Sequence, residues 1–194
     1  LLALAQIFNR NGLDRRARSV VPYSHRLRRL AAFLQQLEME SNGKSVGPDG
    51  QPVKRGTATV VFGDEGTNVQ HAYFQCMHQG TDVTPMELIG VAKSDEGPAG
   101  MHEKLLSNLL AQAEAFMVGR TTEDVVAELR AKGVPDAEIA TLAPQRTFAG
   151  NRPSTLVVLD RLTPQTFGAL IALLLQSSTT SLGTILTART IRTG

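Results

Sequence analysis

Thr57-Ala58-Thr59-Val60-Val61-Phe62-Gly63-Asp64-Glu65-Gly66-Thr67-Asn68 carries the clearest change of texture in this chain of 194 residues. Its first six residues have strand composition, β-branched and apolar, and Gly63 and Gly66 bracket a turn. From Gly66 an amphipathic segment continues to about Gln79. Strand, glycine turn, helix is the order found at ligand crevices of α/β sheets. The alternation recurs on both sides. Ser19-Val20-Val21-Pro22 reads as a short strand, residues 87–92 as a third and residues 155–159 as a fourth. βαβ units with a mostly parallel sheet are the expected α/β architecture.

Between these strands the helical period dominates. Ser24 can cap a helix whose apolar residues Leu27, Leu30, Ala31, Leu34 and Leu37 recur at three- and four-residue steps, ending at Asn42-Gly43. Gly47-Pro48-Asp49-Gly50 has tight-turn composition. Residues 101–118 and 122–132 read as helices, the second capped by Thr121 or Thr122, and a short helix follows Pro135. A loop at Gly150-Asn151-Arg152-Pro153 precedes the fourth strand, and a last helix spans residues 164–175. Beyond Leu175 the texture changes to Ser177-Ser178-Thr179-Thr180-Ser181 and a Thr-rich end, so residues 176–194 read as a low-complexity tail.

Composition narrows the class. At 42% hydrophobic and 20% charged the chain can bury a core, which excludes a disordered or collagen-like polymer. Net charge is +2, but residues 1–30 hold seven Arg against Asp14 alone and carry +6, leaving −4 for the remainder. That basic head offers only Phe8 and Tyr23 for base stacking, so a solvated face, and no nucleic acid, is the expectation. The apolar opening Leu1-Leu2-Ala3-Leu4-Ala5 is too short for a span, so no membrane is expected. One cysteine, Cys76, excludes an internal disulfide and a paired-thiol site, and a cytoplasmic setting is the default. The chain opens without Met inside an apparent helix, which points to a piece of a longer polypeptide.

Several residues are candidates for chemistry. Gln36 and Glu40 are four apart and share one helix face. Glu40 falls in the last turn, where the negative end of the helix dipole disfavours the ionised carboxylate and moves it towards general-base work. The competing reading is a solvated helix-end glutamate. On the helix after Gly66, Val69, Ala72, Tyr73, Cys76 and Met77 form an apolar stripe, which leaves His71 and His78 opposite. His71 lies near the positive end of the dipole, which favours the neutral imidazole able to pass a proton. An exposed or hydrogen-bonded histidine without a task is the alternative. Two-turn spacing of His71 and His78, with no Cys or clustered acid beside them, argues against a metal site. The Gly63–Asn68 loop lacks Gly-Lys-Ser/Thr and contains two acids, which argues against phosphate. Cys76, on the apolar stripe, reads as an inert core thiol.

Taken together, Met39-Glu40-Ser41-Asn42-Gly43-Lys44, Gly66-Thr67-Asn68-Val69-Gln70-His71, His78-Gln79-Gly80-Thr81, Leu105-Leu106-Ser107-Asn108 with Ala111-Gln112-Ala113-Glu114-Ala115, and Gly150-Asn151-Arg152-Pro153 with Gly168-Ala169-Leu170-Ile171-Ala172-Leu173 closely resemble the glucose-6-phosphate isomerase family. The resemblance implies a three-layer αβα sandwich of the sugar-isomerase (SIS) type, here incomplete, with residues 1–175 forming part of the second of two such domains. It implies interconversion of glucose 6-phosphate and fructose 6-phosphate through a cis-enediol, with no metal or organic cofactor. The family's proton-transfer glutamate falls on Glu40, and a substrate-contacting glutamine on Gln36. The family's ring-opening histidine falls on His71, which would serve the neighbouring subunit's site in a homodimer.

The family's Gly-Glu-Pro-Gly-Thr-Asn-Gly-Gln-His stretch stands here as Gly63-Asp64-Glu65-Gly66-Thr67-Asn68-Val69-Gln70-His71. Its first domain and its later lysine-bearing strings have no counterpart in these residues. The expectation is an isomerase fragment with an altered tail, inactive alone. The alternative is a non-catalytic SIS-type module that binds sugar phosphate or a partner.

Overall fold

The computed structural model describes residues 1–47, 49–94 and 97–176. In chain order, α1 (Leu2–Ile7) runs into a π-helical turn, Phe8–Gly12, and then β1 (Ala17–Pro22). A 3₁₀ turn at His25–Leu27 leads to α2 (Leu30–Leu34), which widens into a second π-helical turn, Gln35–Glu40. β2 (Val60–Phe62), α3 (Gly66–Ala72), α4 (Phe74–Gln79) and β3 (Met86–Lys93) follow. The remainder is α5 (Met101–Val118), α6 (Thr122–Ala131), α7 (Asp136–Arg146), β4 (Ser154–Arg161) and a helix over residues 164–176, here α8. The described residues thus contain every expected strand; of the tail expected at 176–194, residue 176 belongs to α8 and residues 177–194 lie outside the described residues.

The four strands form one parallel sheet in the order β2-β1-β3-β4. Side chains alternate across it with the strand period of two. Val20, Val61 and Ile89 enter a core shared with α2 and α8 on one face. Val21, Met86 and Leu88 enter a second core with Val69, Phe74, Leu109 and Phe116 on the other. Helices on both faces bury β3 almost throughout, as parallel strands require. β4, at the edge, alternates between half-buried and exposed. α6 and α7 pack together around Val125, Leu129, Ile139 and Ala143 as a small satellite. The result is the αβα sandwich expected, with all four strands parallel.

The two glycines that bracket the first turn are needed for close approach. Gly63 sits at φ +154°, and a Cβ there would lie 1.9 Å from the Val20 carbonyl oxygen; one on Gly66 would strike the Tyr23 ring at 2.5 Å. Together they seat the start of α3 against the end of β1.

Local boundaries differ from the sequence expectation in three places. Ser24 makes no side-chain cap; the chain takes a 3₁₀ turn first, and the α-helix starts only at Leu30. Leu27, Leu30, Ala31 and Leu34 are buried nevertheless. β2 is shorter than residues 57–62, because its ladder with β1 begins at the pair Ala17–Val60. The helix expected from Gly66 to Gln79 breaks at Tyr73, whose φ of −146° leaves the helical region. Tyr73 leaves the helix because its side chain turns to the sheet: its hydroxyl lies 2.8 Å from Ser19 Oγ and its ring meets Phe62 edge-on at 5.2 Å. The break resets the helical phase. Met77 and Phe74 are buried, Ala72 and Cys76 are exposed, and His78 lies flat on Phe116 at 4.0 Å. Cys76 is therefore a surface thiol rather than a core one, and His78 is half-buried rather than opposite the core.

Candidate active site

Glu40 and Gln36 stand on the π-helical turn Gln35–Glu40, where carbonyls bond five residues ahead instead of four. Both side chains are exposed. Their neighbours are anchored inward. Gln35 Nε2 donates to the Val61 carbonyl at 3.0 Å, the Val61 amide donates to Met39 Sδ at 3.3 Å, and Met39 packs on the α2–α8 core. Glu38 is buried and accepts from Arg18 Nη2. At the helix end Lys44 Nζ donates to the carbonyls of Glu40 (3.2 Å) and Ser41 (2.7 Å). That ammonium sets a positive charge at the negative end of the helix dipole.

Beneath the turn lies a buried charge cluster. Arg18 is 3% exposed, Glu38 7% and Glu87 5%, so two carboxylates share one guanidinium out of water. Arg18 Nη1 lies 2.6 Å from Glu87 Oε2, out of line for a hydrogen bond, and Gln6 Nε2 donates to Glu87 Oε1 at 2.7 Å. Burial raises the Glu38 carboxyl above its ordinary value; Arg18 opposes this and Glu87 adds to it. Arg18, expected on the solvated face of the basic head, is buried instead. The signal was present in Ala17-Arg18-Ser19-Val20-Val21 and Met86-Glu87-Leu88-Ile89. A charge of each sign inside strands buried on both faces must find the other.

His71 is exposed on α3, whose Val69 enters the second core, whereas Leu34, Leu37 and Met39 pack on the first. Glu40 and His71 therefore ride on helical segments covering opposite faces of the sheet. The fold brings Gln36 and Glu40 together and does not bring His71 to them. Ahead of α3, Asp64 Oδ1 accepts from the Glu65 amide at 2.7 Å, so an acid already takes an amide that a phosphate would use.

A separate cleft of about 450 Å³ opens at the carboxyl ends of β1, β3 and β4, lined by Tyr23, His25, Arg26, Lys93, Arg161 and Thr163 among others. It sits where the strand order reverses between β1 and β3, the usual crevice of open α/β sheets. His25 Nδ1 meets Glu65 Oε2 at 2.9 Å and Lys93 meets Asp160 at 2.7 Å, so both side chains already have an acidic partner. Burial pushes the Tyr23 hydroxyl up to about 12, against a hydrogen bond from Gln70 Nε2 at 3.0 Å. Among the described residues no group of three or more His, Cys, Asp or Glu could hold a metal ion, and no helix is long and apolar enough to cross a membrane.

Comparison with known proteins agrees with the α/β fold. The family model described as phosphoglucose isomerase matches residues 1–189. A glucose-6-phosphate isomerase from Caulobacter vibrioides is 96% identical over 173 residues, covering 89% of this chain and 32% of that protein. One from Leptothrix cholodnii is 50% identical over 182 residues, covering 33% of its length. A crystal structure of a glucose-6-phosphate isomerase from Chlamydia trachomatis superposes with a TM-score of 0.76 at 35% identity, over 95% of this chain and 33% of that one. This chain thus spans about a third of the length of the relatives it matches. On its sequence motifs, its parallel αβα sheet and these matches, the chain belongs to the phosphoglucose isomerase family.

Proposed function

We propose that residues 1–175 form part of the second SIS domain of an aldose-ketose isomerase that interconverts glucose 6-phosphate and fructose 6-phosphate, acting as a homodimer in the cytoplasm. Glu40 is the base: its carboxylate takes the proton from C2 of the open-chain aldose, the C–H electron pair forms the C1=C2 bond as the carbonyl pair passes to O1, and the resulting cis-enediolate gains a proton at O1 and loses one from O2 to water. The same carboxylic acid returns the proton to C1. Gln36, one turn earlier on the same outward side, contacts the sugar hydroxyls. His71 assists ring opening in the site of the neighbouring subunit.

The observation that carries this reading is the division of the turn: residues 35, 38 and 39 are tied to the sheet while Gln36 and Glu40 are left outward. The placement of His71 over the opposite face supports a site completed by a second subunit. No sulfhydryl chemistry is needed, and the single cysteine suits a reducing compartment.

A chimera tests it: the Caulobacter vibrioides isomerase with its matching 173 residues exchanged for those of this chain. The chimera is expected to isomerise fructose 6-phosphate, and Glu40→Gln to lower kcat by about 10²–10⁴, the usual range for a lost acid–base group. The 194-residue chain alone is expected to show no turnover. Full activity of the Glu40→Gln chimera overturns the assignment, and ligand binding without C2 proton exchange favours a non-catalytic sugar-phosphate module instead.

A further inference from the structure

The outward stance of Glu40 depends on how residues 35–40 are wound. A π-helical turn accommodates one residue more than an α-helical turn, so its loss would rotate every later side chain by about 100° about the helix axis. Glu40 would then be turned away from the direction it now holds relative to α2 and the core on which α2 packs. Two anchors hold the turn to β2, through Gln35 and Met39. The third lies between them and is ionic: Glu38 reaches inward to Arg18 on β1, and Arg18 faces Glu87 on β3, which Gln6 of α1 steadies.

We propose that Arg18 is the positioning residue for the candidate base. Its guanidinium, clamped between Glu38 and Glu87, holds the π-helical turn in the winding that presents Glu40 and Gln36 outward. The role given to Glu40 rests on the isomerase reading above; the clamp itself rests on the geometry. Separate nitrogens of one planar fork address two carboxylates on different elements, which the compact ammonium of a lysine cannot reproduce. Arg18 is fully internal and touches no reacting atom. Leaving two buried carboxylates without their shared cation disfavours the clamped state strongly, so the turn and its partner strands stand or fall as one arrangement.

The test is a double-mutant cycle in the chimera, joined to amide exchange in the same protein. Arg18→Lys is expected to lower kcat at least about tenfold, because orientation of the base fails, and to raise KM, because Gln36 turns with the same winding. In a Glu40→Gln background the same change is expected to alter kcat by less than about twofold, since a residue acting through Glu40 has nothing left to act on. The Gly43 amide, bonded to the Met39 carbonyl at 3.0 Å, is expected to exchange at least about tenfold faster, while Leu109 in the middle of α5 is unchanged.

A folded Arg18→Lys protein with unaltered kcat and unaltered Gly43 exchange overturns the proposal. So does an equal loss of kcat in the Glu40→Gln background. If Arg18→Lys fails to fold, Glu38→Leu, which cuts the tie from the other end and leaves Arg18 paired with Glu87, decides by the same readouts. If Glu40→Gln retains full activity, the isomerase assignment fails, and Gly43 exchange alone decides whether Arg18 holds the turn.

Discussion

Glu38 and Glu40 are two residues apart, identical in chemistry and opposite in fate. One is buried against a guanidinium, and the other stands in water on the same turn. The difference has a measurable pH signature. Burial raises the folded-state pKa of Glu38 above 4.5, so the folded protein holds that proton more tightly than the unfolded chain. The stability this contributes is fully present below pH 4.5 and is lost as pH rises through the folded value. Glu38→Gln stays neutral throughout. Its melting temperature, relative to wild type, is therefore expected to climb between pH 4.5 and 7, as scanning calorimetry would show. A difference that stays flat or falls across that interval contradicts the burial argument. No such signature could be read from spacing, which treats both glutamates as helix-end residues. What separates them is Arg18, 20 residues before Glu38 and on another element.

Among the elements, α4 shows how a break in one helix reassigns its side chains. Tyr73 gives up helical geometry to reach Ser19, and the phase shift carries His78 onto Phe116 instead of into solvent. His78 Nε2 donates to Gln112 Oε1 at 3.0 Å, which ties α4 to α5, and its Nδ1 is buried without a partner among the described residues. Burial therefore lowers the His78 pKa below 6.5. Here the sign is reversed: the unfolded chain takes the proton more readily. The stability due to the neutral ring is present above pH 6.5 and is lost as pH falls through the folded value. His78→Leu is expected to lose less melting temperature than wild type between pH 6.5 and 5, despite giving up the Gln112 bond. Equal acid losses in the two proteins would show that the ring titrates as it does in water. At α6, by contrast, a local cap expected at Thr121 or Thr122 is found at Thr121: its hydroxyl accepts from the Asp124 amide and the Asp124 carboxylate accepts from the Thr121 amide, a capping box.

For the whole molecule the decisive fact is the sheet between Glu40 and His71. If each site takes its glutamate from one subunit and its histidine from the other, then two inactive chimeras are complementary. A mixed dimer of Glu40→Gln and His71→Ala chimeras contains one intact site and one doubly damaged site. Equal mixing after subunit exchange is expected to restore about one quarter of wild-type activity, since half of the dimers are mixed and each has one working site of two. No recovery, with exchange verified by mass, would place both residues in one subunit's site. The sequence alone determined the parallel α/β plan, because the period-two and period-3.6 patterns and the glycines at 63 and 66 are local signals that only one layered packing satisfies. It also marked Gln36, Glu40 and His71 through linear motifs that survive in short strings. Tertiary structure decided what those residues can do together: the winding of residues 35–40, the break at Tyr73, the burial of Arg18 between Glu38 and Glu87, and the separation of Glu40 from His71. Each of these arises from contacts between elements distant in the chain, where desolvation and packing override the propensity of any single segment.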